Sequence, residues 1–168
     1  VEDARWATWN AEALVALGWA AGLQGDLSHP TEPADPQPLI MSIPAPWDET
    51  VDFVARIALR SEEAIERERE RAEVWLWRVD VEEESRGAKG ASRDALSVEI
   101  RDVTRECVSA GLLPNEATGD FPVHGRPFRS APVADIDAIA GVATVRLHAL
   151  NWLCGFGSSW DDVPLEVG

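Results

Sequence analysis

Ile136-Asp-Ala-Ile-Ala-Gly-Val-Ala-Thr-Val-Arg-Leu-His-Ala-Leu-Asn-Trp-Leu-Cys154, closed by Gly155-Phe-Gly157, is the stretch that decides how this chain folds. Ile136, Ile139, Ala143, Leu147, Leu150 and Cys154 recur at steps of three and four, the spacing of one face of an α-helix. The reading is a helix over 134–154, ended by the two glycines. Three polar groups interrupt its apolar character: Arg146, His148 and Asn151. His148 and Asn151, three apart, share a face, and Arg146 lies on another side. Directly after the glycine break stand Trp160, Asp161 and Asp162. This is the one region where groups with chemical options meet an aromatic frame.

Upstream, helical periodicity repeats. Residues 3–22 carry Trp6, Trp9, Ala13, Leu17 and Ala20 at helical steps, with Gly22 placed to end the helix and Gly18 able to admit a close neighbour. Six prolines between 24 and 47 exclude regular helix there, and Leu39-Ile-Met41 is expected to tuck onto the core. A helix is expected over 48–59, capped by Asp48, with Val51, Val54 and Ala58 inward. Ser61, followed by two acids, starts another that runs to about Glu84 on the stripe Ile65, Ala72, Trp75, Leu76, Val79. The alternating run Glu66–Arg71 reads as its exposed, salt-laced face. Ser92 is expected to cap a helix over 93–111, with Leu96, Ile100, Val103 and Cys107 inward. Phe121-Pro-Val-His-Gly-Arg-Pro-Phe128 has the His-Gly pair and flanking apolar residues of a small hairpin, kept irregular by its prolines. The expectation is a mainly α fold: about five helices around one core, with a Pro-rich loop and one small β-hairpin, in a single domain over 1–168. The chain opens on Val1 rather than Met, so a native N-terminal segment is expected to be missing.

Composition bounds the function classes. Thirty acids against fifteen bases give a formal charge of −15, and 45% of residues are hydrophobic. Such a chain is repelled by nucleic acid and by anionic membranes, and it holds no apolar run long enough to span a bilayer. A protein partner, a basic one included, suits it better; oligomeric state is left open. The eight tryptophans, with no tyrosine, are expected mostly in the core or at its edge, although Trp47, Trp75 and Trp77 could mark a dimer surface. The two cysteines, Cys107 and Cys154, have neither disulfide-framework nor zinc spacing and read as buried free thiols of a cytoplasmic protein. Walker, dinucleotide, His-Glu-x-x-His and G-x-S-x-G patterns are absent, so no cofactor is expected.

His148-Ala-Leu-Asn-Trp-Leu153 followed by Trp160-Asp-Asp-Val163 resembles the carboxy-terminal signature of a bacterial family, the domain-of-unknown-function family 4272. Trp9-Asn-Ala-Glu-Ala-Leu14 and Leu17-Gly-Trp-Ala20 are similar to its first helix, Leu59-Arg60 to its middle helix, and Asp120-Phe-Pro-Val123 to its hairpin. The resemblance covers most of 6–163 and implies a mostly helical, bacterial protein without implying an activity. The chain departs from the family pattern in having Val145 where an acid precedes the motif's arginine and His148 where an aromatic is frequent; the segment that members carry ahead of the first helix is expected to be missing from this sequence.

Two functions follow as expectations. The first is a non-enzymatic, acidic protein-binding domain, in which the closing motif locks the tail: Asn151 and His148 would bond loop backbone, and Asp161 or Asp162 would pair with Arg60 or Arg146. The second is a metal-assisted hydrolase using Glu12, His148, Asp161 and Asp162, which requires the four side chains to converge. The residues singled out for binding are thus Glu12, Arg60, Arg146, His148, Asn151, Trp160, Asp161 and Asp162, with no catalytic or metal-ligating role assigned on sequence alone.

Overall fold

The computed structural model describes the backbone of residues 2–165 and the side chains of residues 10–165. The side chains of Trp6 and Trp9 lie outside the described residues. Helix α1 spans Glu2–Ala20, α2 Gln37–Ile40, α3 Val51–Arg56, α4 Glu62–Gly87, α5 Ala91–Ser109 and α6 Val133–Leu153. Strands β1 (Pro122–Val123) and β2 (Arg126–Pro127) pair antiparallel between α5 and α6, Val123 opposite Arg126. The mainly α architecture with one hairpin agrees with the sequence reading.

Helix α6 is the axis. It packs against α4 on one side and α1 on another, and α5 lies against α4. From Val142 to Asn151 only Thr144 and His148 are not buried. A helix apolar nearly all round must be covered nearly all round. Trp75, Val79, Phe121, Phe128, Ile136 and Ile139 form the largest core cluster between α4, the hairpin and the first half of α6. Ala13 and Ala16 pack on Val145 and Ala149, small residues that let α1 approach α6 closely. Burying each large aliphatic side chain here contributes about 1.5–3 kcal/mol.

Local chemistry explains most boundaries. Ser61 Oγ accepts a hydrogen bond from Ala64 N–H at 3.2 Å and caps α4 as expected. The His124-Gly125 turn places both residues at positive φ, as a type I′ hairpin turn requires. Gly22, at φ +70°, ends α1, and its α-carbon lies so close to the Ala58 carbonyl that a Cβ would meet that oxygen at 2.5 Å. The glycine also clears the path for residues 58–60, whose Ala58 and Arg60 N–H groups donate to the carbonyls of Ala21 and Ala20. Leu39 enters the notch that Gly18 leaves in α1 and is buried there.

Several expectations need correction. The helix over 48–59 shrinks to Val51–Arg56; its N-cap is Thr50, not Asp48, and it buries no residue, leaving Val51, Val54 and Ala58 exposed. Of Leu39-Ile-Met41 only Leu39 tucks in. Helix α5 begins at Ala91 after Gly90, so Ser92 lies inside it rather than capping it. The charge run on α4 is not all solvated: Arg69 is buried, bonded to Glu66 at 2.9 Å and lying over the Phe156 ring. Arg71 reaches the Leu112 and Gly111 carbonyls at the end of α5. Trp75 is wholly buried and Trp77 half-buried, so of the three tryptophans suggested for a dimer surface only Trp47 is exposed.

Candidate functional site

The polar groups of the closing helix part company in three dimensions. Arg146 turns toward α1, where its Nε donates to Glu12 Oε2 at 3.0 Å; the two side chains are 4% and 2% exposed. The other guanidinium nitrogens donate to the carbonyl and hydroxyl oxygens of Ser28, and the second oxygen of Glu12 accepts from Ala34 N–H. One buried ion pair thus joins α1 and α6 and fastens both ends of the 28–34 stretch of the Pro-rich connection. The acid that the family pattern would place beside Arg146 is supplied from across the core, while Val145 packs with Ala13, Ala16 and Ala149. Every charge-bearing atom is hydrogen-bonded, as a buried pair requires if it is not to destabilise the fold.

The tail follows a separate logic. Trp160 folds back between two residues one helical turn apart, its ring edge-to-face with His148 at 4.5 Å and with Trp152 at 5.7 Å. Asn151 is buried and donates from Nδ2 to the Pro164 carbonyl at 2.8 Å, holding the chain that leads on from the motif. Asn151 and Trp160 therefore lock the tail. The aspartates do not: Asp162 accepts from Ser158 Oγ at 2.7 Å within its own turn, a bond that lowers its pKa, and Asp161 is exposed. Nor does the Pro-rich loop receive Asn151 or His148; Arg146 holds that loop instead.

Arg60, expected as a partner for the aspartates, finishes α1. Its guanidinium donates to the carbonyls of Trp19 at 2.8 Å and Gln24 at 2.9 Å, and also to that of Gly25, while lying 4.8 Å over the Trp19 ring. A helix leaves its last carbonyls without intrahelical donors, and a cation there satisfies them and the helix dipole together.

The four groups required by the hydrolase reading do not converge. Glu12 is occupied by Arg146 and Ala34, His148 lies against Trp160, and Asp162 bonds Ser158. Among the described residues no group of three or more His, Cys, Asp or Glu side chains is placed to hold a metal ion.

Two features escaped the sequence reading. Arg78, wholly buried on α4, donates from Nε to Asp120 Oδ1 at 2.8 Å and from its terminal nitrogens to Asp120 and Glu82 at 3.2 Å. Asp120 also accepts from the N–H groups of Phe121 and Arg129, so this arginine pins both edges of the hairpin. Its signal was an arginine on the inner stripe of α4, three residues after Trp75. The second feature is the 40–59 segment. Eight large hydrophobic residues in these twenty positions are exposed: Ile40, Met41, Ile43, Trp47, Val51, Val54, Ile57 and Leu59. The signal was the proline spacing, which denies the segment a long helix and hence a continuous face to bury.

The architecture is that of a mainly helical domain strung on one buried helix and tied by two buried arginine–carboxylate contacts. The model of the family described as Domain of unknown function (DUF4272) matches residues 1–96, more than half of the chain, and the chain belongs to that family. The matched segment holds Glu12, Arg60 and Arg78, whereas Asp120, Arg146 and the tail motif lie beyond it. Comparison with curated proteins and with solved structures gives no match.

Proposed function

We propose that this protein is a non-enzymatic interaction domain whose binding element is the 40–59 segment, and whose partner is a protein with an apolar groove edged by basic side chains. The observation that carries this reading is the concentration of exposed apolar residues in an arm anchored at both ends. Leu39 holds one end in the Gly18 notch, and the Ala58 and Arg60 N–H groups hold the other on the end of α1. Between the anchors Met41 is 81% exposed and Trp47 fully so. Trp47 also has φ +80°, a backbone state costly for a bulky residue, and no buried contact accounts for it. Tryptophan is among the residue types that most often anchor protein interfaces. Asp48, Glu49 and Asp52 flank these apolar groups, and the chain carries a charge of −15, hence the basic rim assigned to the partner. The side chains singled out in the closing motif would then support the body of the domain rather than contact the partner.

Trp47→Asp and Val51→Asp test this, because both side chains are exposed and neither change should disturb folding. The expected result is a purified partner that binds the wild type one to one and loses at least tenfold in affinity with either variant, with unchanged urea midpoints. Arg105→Ala, far along the chain on α5, should bind normally. Binding unaffected by both arm variants, or a self-associated dimer closed by the arm, would refute the reading.

A further inference from the structure

A cavity of about 250 Å³ lies where the end of α4, the start of α5 and the hairpin flank meet. Its walls include Arg78, Arg86, Arg93 and Arg129, with hydroxyls from Ser97 and Ser130. In a chain with twice as many acids as bases, four arginines around one cavity require a reason. Glu82 is the lone acid of the lining, and its oxygens are held by Arg78 at 3.2 Å and by Arg86 at 3.7 Å. Arg78 in turn is committed to Asp120. Arg93 and Arg129 make no side-chain hydrogen bond or ion pair among the described residues. They come from different elements, Arg93 from α5 and Arg129 from the turn after the hairpin, with Arg86 from α4. A second cavity of about 400 Å³ shares Ser97, Gly119 and Arg129 and continues past Val98 and Thr118, with Arg101 and the acids Asp94 and Asp120 also in its lining.

We propose that this cleft binds the phosphoryl group of a small phosphate ester, with Arg86, Arg93 and Arg129 as its cationic contacts and Ser130 as a hydroxyl donor; the Ser97 hydroxyl is spent on the Arg93 carbonyl at 2.9 Å. Three guanidinium groups from three elements suit a tetrahedral dianion, which accepts hydrogen bonds from all sides; a carboxylate is flat and presents two oxygens. The adjoining cavity gives room for the rest of the ester. The acidity of the whole chain does not forbid this, because charges beyond roughly 8 Å are largely screened at physiological salt. This inference is independent of the interaction arm, which lies on other elements.

Titration calorimetry and thermal shift with phenyl phosphate, inorganic phosphate, sulfate and acetate test the proposal on the whole chain. Phenyl phosphate is expected to bind saturably, one to one, and at least as tightly as inorganic phosphate, with sulfate weaker and acetate without effect. Arg93→Ala and Arg129→Ala remove exposed side chains without internal partners, so the fold should persist, confirmed by unchanged circular dichroism. Each should weaken phenyl phosphate about tenfold or more, as loss of a charge-assisted hydrogen bond implies; Arg105→Ala should not. No saturable binding, equal response to all four anions, binding of inorganic phosphate alone, or full affinity in both variants would each overturn the assignment.

Discussion

Exchanging Glu12 and Arg146 for apolar residues of similar bulk gives the sharpest check on the role of the conspicuous groups in the closing helix. Glu12→Leu leaves Arg146 buried without a counter-charge, and Arg146→Met leaves Glu12 in the same state. Removing one partner of a buried pair typically costs about 3–5 kcal/mol, a large part of the stability of a domain this size. The double variant leaves no stranded charge. It loses only the bonds to Ser28 and Ala34, at about 1 kcal/mol each, and so should be destabilised by about 2–3 kcal/mol rather than the 6–10 that adding the singles gives. In thermal unfolding the singles should fall by about 6–20 °C and the double by less than either. Urea titrations of the four proteins measure the cycle directly. Singles within about 1 kcal/mol of wild type, or a double equal to the sum of the singles, would refute the view that this pair is a structural tie.

Gly22→Ala should cost about 2–4 kcal/mol, from a left-handed backbone and a Cβ at 2.5 Å from the Ala58 carbonyl oxygen, whereas Gly25→Ala, with open space around it, should be nearly neutral by urea midpoint. His29, exposed on one side and set edge-on to Trp75, has its pKa lowered from 6.5, first by partial desolvation and then by Arg71, with Glu32 opposing and Arg146 and His124 adding smaller pushes. The unfolded chain therefore binds the extra proton more readily, so stability should fall as pH drops through 6.5, and a His29→Gln variant should show a shallower fall in melting temperature from pH 7 to 5. Cys107 and Cys154 both have raised thiol pKa values, chiefly through burial, with Glu66 adding to the shift at Cys154. Both should react with Ellman's reagent at pH 7 more slowly than free cysteine, and rapid labelling of the native protein would contradict their packing.

Periodicity made α6, α4 and α1 readable, because each buries a stripe and a stripe leaves a mark at three- and four-residue steps. Ser61 and the His124-Gly125 turn were legible for a related reason: a cap and a type I′ turn are local, and local chemistry needs no knowledge of the fold. The errors fall where long-range geometry decides. Val51 and Val54 have helical spacing but nothing packs on them, and spacing alone does not distinguish a face turned inward from one left bare. Arg146 was recognised as unusual, yet its partner lies 134 positions away on α1, and sequence order favoured the nearer aspartates. Arg78 was missed altogether, since an arginine amid a charged helix looks solvated until Asp120 is found beneath the hairpin.

The distribution of arginines links these points. Those at 60, 71, 78 and 146 are committed to carboxylates or carbonyls that hold elements together, and those at 67, 69, 86 and 105 pair with acids on their own helices. Arg56 lies over the Phe53 ring. Among the described residues the arginines with no such role are 93, 101, 126 and 129, which stand on α5, the hairpin or the turn that follows it. A random scatter of surplus cations in so acidic a chain would find acids nearby, as the others did. Arg93, Arg101 and Arg129 line the two cavities, whereas Arg126 lines neither, so the anion proposed above bears on three of the four. The exposed apolar residues segregate to the 40–59 arm instead. Because the two proposed surfaces differ in chemistry and lie on different elements of one tied helical body, the arm variants and the Arg93 and Arg129 variants should each leave the other's binding unchanged.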